Sequence, residues 1–123
     1  VFSGKGVNGS PENICNSATG EINPSVVEHW KKYDIALNLK NNWNSLKSDL
    51  NDKIRISIGT QDNFLLQYAV MSLETQMKEL GTNFEIAYFP GDHFTVGTPE
   101  YEKKGTHFLK KKYLGWLAKS DTK

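Results

Sequence analysis

Residues 54–63 read IRISIGTQDN and residues 84–96 read FEIAYFPGDHFTV. The β-branched run Ile54–Ile58 closing at Gly59 predicts a strand, and Phe84–Phe89 closed by Pro90-Gly91 predicts a second. Between them, after a turn over Thr60–Asn63, Leu66, Ala69, Val70, Leu73, Met77 and Leu80 recur at steps of three and four residues, the period of one helix face. Gly81 stands where such a helix stops. A terminal helix over Glu100–Lys119 comes after the second strand. Strand, helix, strand, helix with short connections favours parallel strands joined by crossovers, an α/β layered fold. The expectation is two to three parallel strands flanked by helices, with Val1-Phe2 as the last residues of the third.

Upstream of this βαβα unit, placed at 52–123, the chain reads differently. Residues 3–24 are rich in Gly, Asn, Ser and Pro without a sustained apolar period, which predicts a long surface loop. Residues 25–51 read as a helical segment. Ser25 is the candidate N-cap, with Glu28 in the capping-box position, and Val26, Val27, Trp30 and Tyr33 supply an apolar side. Leu37, Trp43, Leu46 and Leu50 are the expected buried anchors of the stretch from Asp34 to Leu50.

The 123 residues are 37% hydrophobic and 24% charged, with fifteen Lys and Arg against fourteen Asp and Glu. That composition is globular rather than disordered, and no apolar run is long enough to span a membrane. A net charge of +1 gives no electrostatic case for nucleic acid. The lysine-rich stretch from Pro99 on, with Lys103, Lys104, Lys110, Lys111 and Lys112 interleaved with Phe108, Leu109, Tyr113, Trp116 and Leu117, reads as an amphipathic helix with a solvated lysine face. Cys15 is single, so the chain has no internal disulfide and no paired-cysteine metal site.

In open parallel sheets, ligands and reacting groups gather at the carboxyl ends of the strands. The first strand end carries Asp62 and the second carries His93. A carboxylate there would hold the imidazole in one tautomer and stabilise its protonated form, freeing the other nitrogen to act as general base. Both residues also have plainer readings. Asp62 would cap the helix after it, a role compatible with the first, and His93 would be a loop histidine satisfied by backbone. Asp92 adjoins His93, but neighbouring side chains diverge, so it reads as a turn residue. Asp62, Asp92 and His93 match no strong metal-ligand spacing. His29 and His107 fall within helical patterns as surface or packing residues. Trp30, Trp43, Tyr33 and Phe94 could line an acyl or aromatic pocket, although the tryptophans read better as core.

KIRISIGTQDNF (53–64), the helix after it and FEIAYFPGDHFTV (84–96) resemble the last two strand units of an α/β-hydrolase of the serine-esterase type related to enterochelin esterase and esterase D. HWKKYDIALNL (29–39) resembles the helix before the acid strand of such esterases, and VFSG (1–4) the end of the strand that comes after the nucleophile helix. The resemblance implies a Ser-His-Asp hydrolase of carboxylic esters, with Asp62 as the acid, His93 as the base and no cofactor or metal. It further implies that residues 1–123 form the C-terminal half of such a domain, partnered by its N-terminal half. Self-association through an exposed sheet edge is a second consequence.

No Gly-x-Ser-x-Gly elbow occurs in these residues. Ser3, Ser10 and Ser17 lack the strand-to-helix setting that exposes a nucleophile. The chain alone is therefore expected to hold acid and base but neither nucleophile nor oxyanion hole, and to be inactive as an esterase. The competing expectation is a non-catalytic α/β binding module for a carbohydrate or protein partner, using the 3–24 loop and nearby aromatic residues.

Overall fold

The computed structural model describes residues 3–120, so Val1-Phe2, read above as a strand end, lies outside the described residues. The protein is a mixed α/β structure with four α-helices and a two-stranded parallel sheet among the described residues. It divides into two compact units, one running to Asn44 and the other starting at Ser45.

In the first unit, residues 3–23 are more ordered than a plain loop. The chain folds back twice, through antiparallel bridges between Lys5 and Pro11 and between Cys15 and Ile22. Helix α1 (Pro24–Trp30) is capped by Asn23 rather than Ser25. Pro24 has the fixed φ and missing N–H that suit the first helical position, which moves the cap back by two residues. Asn23 Oδ1 accepts from Ser25 N at 3.1 Å, and Glu28 pairs forward with Lys31 instead of reaching back to the cap. Of the expected apolar side, Val26 is buried, whereas Trp30 and Tyr33 are exposed. Core packing for Trp30 is thus corrected.

A 3-10 turn (Lys31–Tyr33) leads to helix α2 (Ile35–Leu50), started by Asp34, whose Oδ1 accepts from Leu37 N at 2.9 Å. Leu39 and Trp43, four residues apart on one face, are buried, while Leu37, Leu46 and Leu50 are half-buried. Trp43 is therefore a packed residue and not part of a pocket wall.

The second unit carries the predicted βαβα order. Strand β1 (Arg55–Gly59) pairs in parallel with β2 (Glu85–Phe89), in a register matching Ile56 with Ile86 and Gly59 with Phe89. The crossover is helix α3 (Leu66–Glu79). It ends as its glycine foretold: Gly81, at φ +66°, donates to Lys78 O while Thr82 donates to Met77 O, satisfying two carbonyls at the helix end. The packed stripe of α3 runs through Val70, Leu73, Met77 and Leu80, but Leu66 and Ala69 are exposed and Gln67 is buried in their place. Gln67 shares the face of Val70, Glu74 and Met77 at steps of three and four residues, so the packed face begins at Gln67 rather than Leu66. Tyr88 on β2 donates its hydroxyl to Glu74 on α3 at 2.8 Å. Burial first, then the bonded carboxylate, push that phenol up to about 12.

Helix α4 (Pro99–Ser120) covers the sheet through Tyr101, Gly105 and Phe108, with the Tyr101 ring 5.2 Å from Phe89 and Phe108 buried. Its apolar residues divide otherwise than expected. Leu109, Tyr113 and Trp116 are exposed, while Lys112 is half-buried and paired with Asp52 at 3.8 Å. Helix and sheet positions thus leave the carboxyl ends of β1 and β2 side by side, and there the candidate residues lie.

Candidate active site

The two strand ends approach so closely that β1 must end in glycine. A Cβ on Gly59 would stand 2.5 Å from Gly91 O, a distance side chains essentially never show, and a tight 3.1 Å from Asp92 O. The ladder then continues into the loops: Thr60 N donates to Phe89 O at 2.8 Å and Gln61 N to Gly91 O at 3.0 Å. Gly91, at φ +119°, takes a backbone conformation that disfavours other residues.

From these ends Asp62 and His93 meet. Asp62 Oδ2 lies 2.8 Å from His93 Nδ1, and Asp62 is buried. Asp62 Oδ1 accepts from Phe64 N at 2.9 Å and, at greater length, from Leu66 N at 3.4 Å. One oxygen thus bonds the turn before α3, whose cap position is Leu65 without a side-chain cap bond, and the other faces the imidazole. Burial raises the Asp62 carboxyl pKa. The bond to His93, the two backbone N–H groups and the imidazole charge outweigh it, and the net direction is below the ordinary 3.8. Asp62 is therefore a carboxylate at neutral pH, and Nδ1 is the nitrogen it engages. Nε2 is left as the nitrogen for proton transfer, on a side chain that is 42% exposed.

Asp92 takes no part in orienting the imidazole. Its Oδ1 accepts from Phe94 N, Thr95 N and Thr95 Oγ1 at 2.8–2.9 Å, closing the turn after β2. The Thr95 bond first, then the backbone donors, hold this carboxyl below its usual range against a smaller opposing effect of burial. Asp62, Asp92 and His93 therefore do not converge on a common point.

Three residues of the site, Asn63, Phe64 and Gly59, were not singled out by the sequence. Asn63 accepts the His93 backbone N–H on its Oδ1 at 3.2 Å, tying the second loop to the first. Phe64 presents its ring edge-on to His93, with centroids 4.9 Å apart, and Phe94 stands 5.4 Å from the imidazole on its own loop. Gly59 permits the approach. The signals for the three were weak: an Asn beside an Asp, an aromatic residue next to a polar turn, and a glycine ending a β-branched run.

The other candidates lie elsewhere. His29 packs against Tyr33 at 5.7 Å in the first unit, and His107 is exposed on α4. Trp30 and Tyr33, with Val27, Lys31 and Asp34, line an open cavity of about 400 Å³ within the first unit. Ser10 and Ser17 sit in its exposed turns, and Ser3 is half-buried near its start. None of the three stands between a strand and a helix. Among the described residues, no cluster of three or more His, Cys, Asp or Glu side chains is placed to hold a metal ion, and no helix is long and apolar enough to cross a membrane. No protein-family model, curated protein or solved structure matches this chain.

Proposed function

We propose that Asp62 and His93 are the acid–base pair of a serine-type hydrolase acting on carboxylic esters, in an α/β-hydrolase of the serine-esterase type. The observation that carries this reading is the 2.8 Å contact between a buried carboxylate and Nδ1 of a partly exposed imidazole, at adjacent carboxyl ends of parallel strands. The order acid then base along the chain agrees with that of α/β-hydrolases.

In this mechanism His93 Nε2 takes the proton of a serine hydroxyl as its oxygen bonds to the ester carbonyl carbon. Nε2 then gives that proton to the alcohol oxygen as the carbonyl–oxygen bond breaks. Water releases the acyl group through the same nitrogen, so the net reaction is ester plus water to acid plus alcohol. Asp62 moves no proton and keeps the imidazole aligned. The nucleophile and oxyanion donors come from a segment outside these 123 residues, the N-terminal half of the same domain. Self-association through an exposed sheet edge is the alternative when that half is absent.

The test is His93→Ala in the protein as its gene encodes it, assayed on p-nitrophenyl acetate. Loss of about 10³-fold or more in kcat/KM is expected; activity retained within a few-fold defeats the assignment. A second reading, a binding module for carbohydrate, is favoured by one observation, the exposed Trp30 and Tyr33 rings beside Asp34 in the first unit's cavity. It requires glycan binding that survives His93→Ala and is lost in Trp30→Ala.

A further inference from the structure

Phe64 and Phe94 remain without a role in the proton path. They are 61% and 77% exposed, large apolar surfaces on opposite loops, yet both stand against the imidazole and 6.3 Å from each other. Other large apolar residues are exposed too, and what sets these two apart is that both rings stand beside the imidazole.

The chemistry decides which part of a substrate reaches them. Resting on the reading of His93 as base and later acid, the leaving alcohol oxygen must come within about 3 Å of Nε2 to receive its proton. The group attached to that oxygen then lies within a few bond lengths of both rings, whose centroids are 4.9 and 5.4 Å from the imidazole. The acyl carbon, by contrast, is drawn towards the nucleophile and the oxyanion donors.

Several polar atoms around the rings are already engaged. Asp62 is occupied on both oxygens, Asp92 Oδ1 has three donors, and Asn63 Oδ1 holds the His93 N–H. Among the described residues, the ion-pair partner of Asp62 is His93 and not a lysine or arginine that would recruit or repel a charged alcohol. We propose that Phe64 and Phe94 form the walls of the alcohol-side subsite, so that the substrate class is esters of aromatic or other bulky apolar alcohols rather than of sugars or charged alcohols.

The experiment compares ethyl acetate with 2-phenylethyl acetate in the protein as its gene encodes it. The acyl group is constant and both leaving groups are primary alcohols, so the ratio of kcat/KM values isolates the subsite. A wild-type preference of about 10-fold or more for the phenylethyl ester is expected, the scale of a well-filled apolar pocket. Phe64→Ala and Phe94→Ala should each bring the ratio towards unity, and Phe64→Leu should restore part of it. A wild type without preference overturns the proposal. So does a uniform loss on both esters with the ratio kept, because Phe64 would then only brace the imidazole. His93→Ala separates the two layers. If it retains hydrolysis of both esters, the acid–base reading fails. If it abolishes both while the phenylalanine variants keep the ratio, only the subsite fails. A wild type that hydrolyses neither ester defeats both.

Discussion

Asp62 shows how one side chain can serve two masters without conflict. Oδ1 closes the entry to α3 through Phe64 N and Leu66 N, and Oδ2 faces His93. Two predictions belong here. In neutral His93 the proton should sit on Nδ1, where it can be donated to Asp62, and Asp62→Ala should shift the proton to Nε2, as read from imidazole nitrogen chemical shifts at alkaline pH. The second concerns acid. Asp62, Glu74, Asp92 and Glu100 are all held below their ordinary values in the folded protein. The unfolded chain therefore binds more protons in the acid range, and stability rises with pH there. The tie at Asp62 is present above the ordinary carboxylate range and disappears as pH falls through the lowered value. Thermal melts should show a midpoint that climbs from about pH 2 to about pH 5 and then levels off. The slope should be shallower in Asp62→Asn.

At the scale of elements, the glycine ending β1 is the most sensitive point. Gly59→Ala places a methyl group against Gly91 O, which is backbone and cannot swing aside. A cost of about 1–3 kcal/mol is expected, with loss of the Asp62–His93 contact, measured by denaturant unfolding and by the same imidazole signals. Gly115→Ala, inside α4 with no atom within 4 Å of the added methyl, should instead stabilise by about 0.5–1 kcal/mol. These elements were largely legible in the sequence, because β1, α3 and β2 each have a clear pattern and a stop signal. What escaped was set by particular neighbours. Asn23 took the cap because Pro24 fits the first helical position, and Gln67 is buried because it lies on the face of Val70 and Met77. That Asp62 and His93 lie together could be read from strand ends alone. Asn63 and Phe64 could not, since their partners lie about thirty residues along the chain and only pairing of the strands reveals them.

For the whole molecule, a two-stranded parallel sheet is a small platform, and Ile56 and Ile58 on β1 are only half-buried. Among the described residues, β1 pairs on one side only. Such an edge recruits further strands. Light scattering on residues 1–123 should show a mass above that of the 13.9 kDa monomer, rising with concentration; a constant monomer mass counts against an open edge. The same preparation should not turn over p-nitrophenyl acetate above a His93→Ala control, since its described residues contain no strand-to-helix serine.

The way Asp62 is held has one more consequence. Its carboxylate is immobilised by backbone donors at the entry to α3, so it cannot follow a moving partner. The imidazole sits on a loop tied to its neighbour by the Gln61 N–H to Gly91 O, by the His93 N–H to Asn63 and by the Phe64 ring, and its side chain is 42% exposed. On the proposed function, adjustment as the reaction proceeds falls to His93, the more exposed member of the pair.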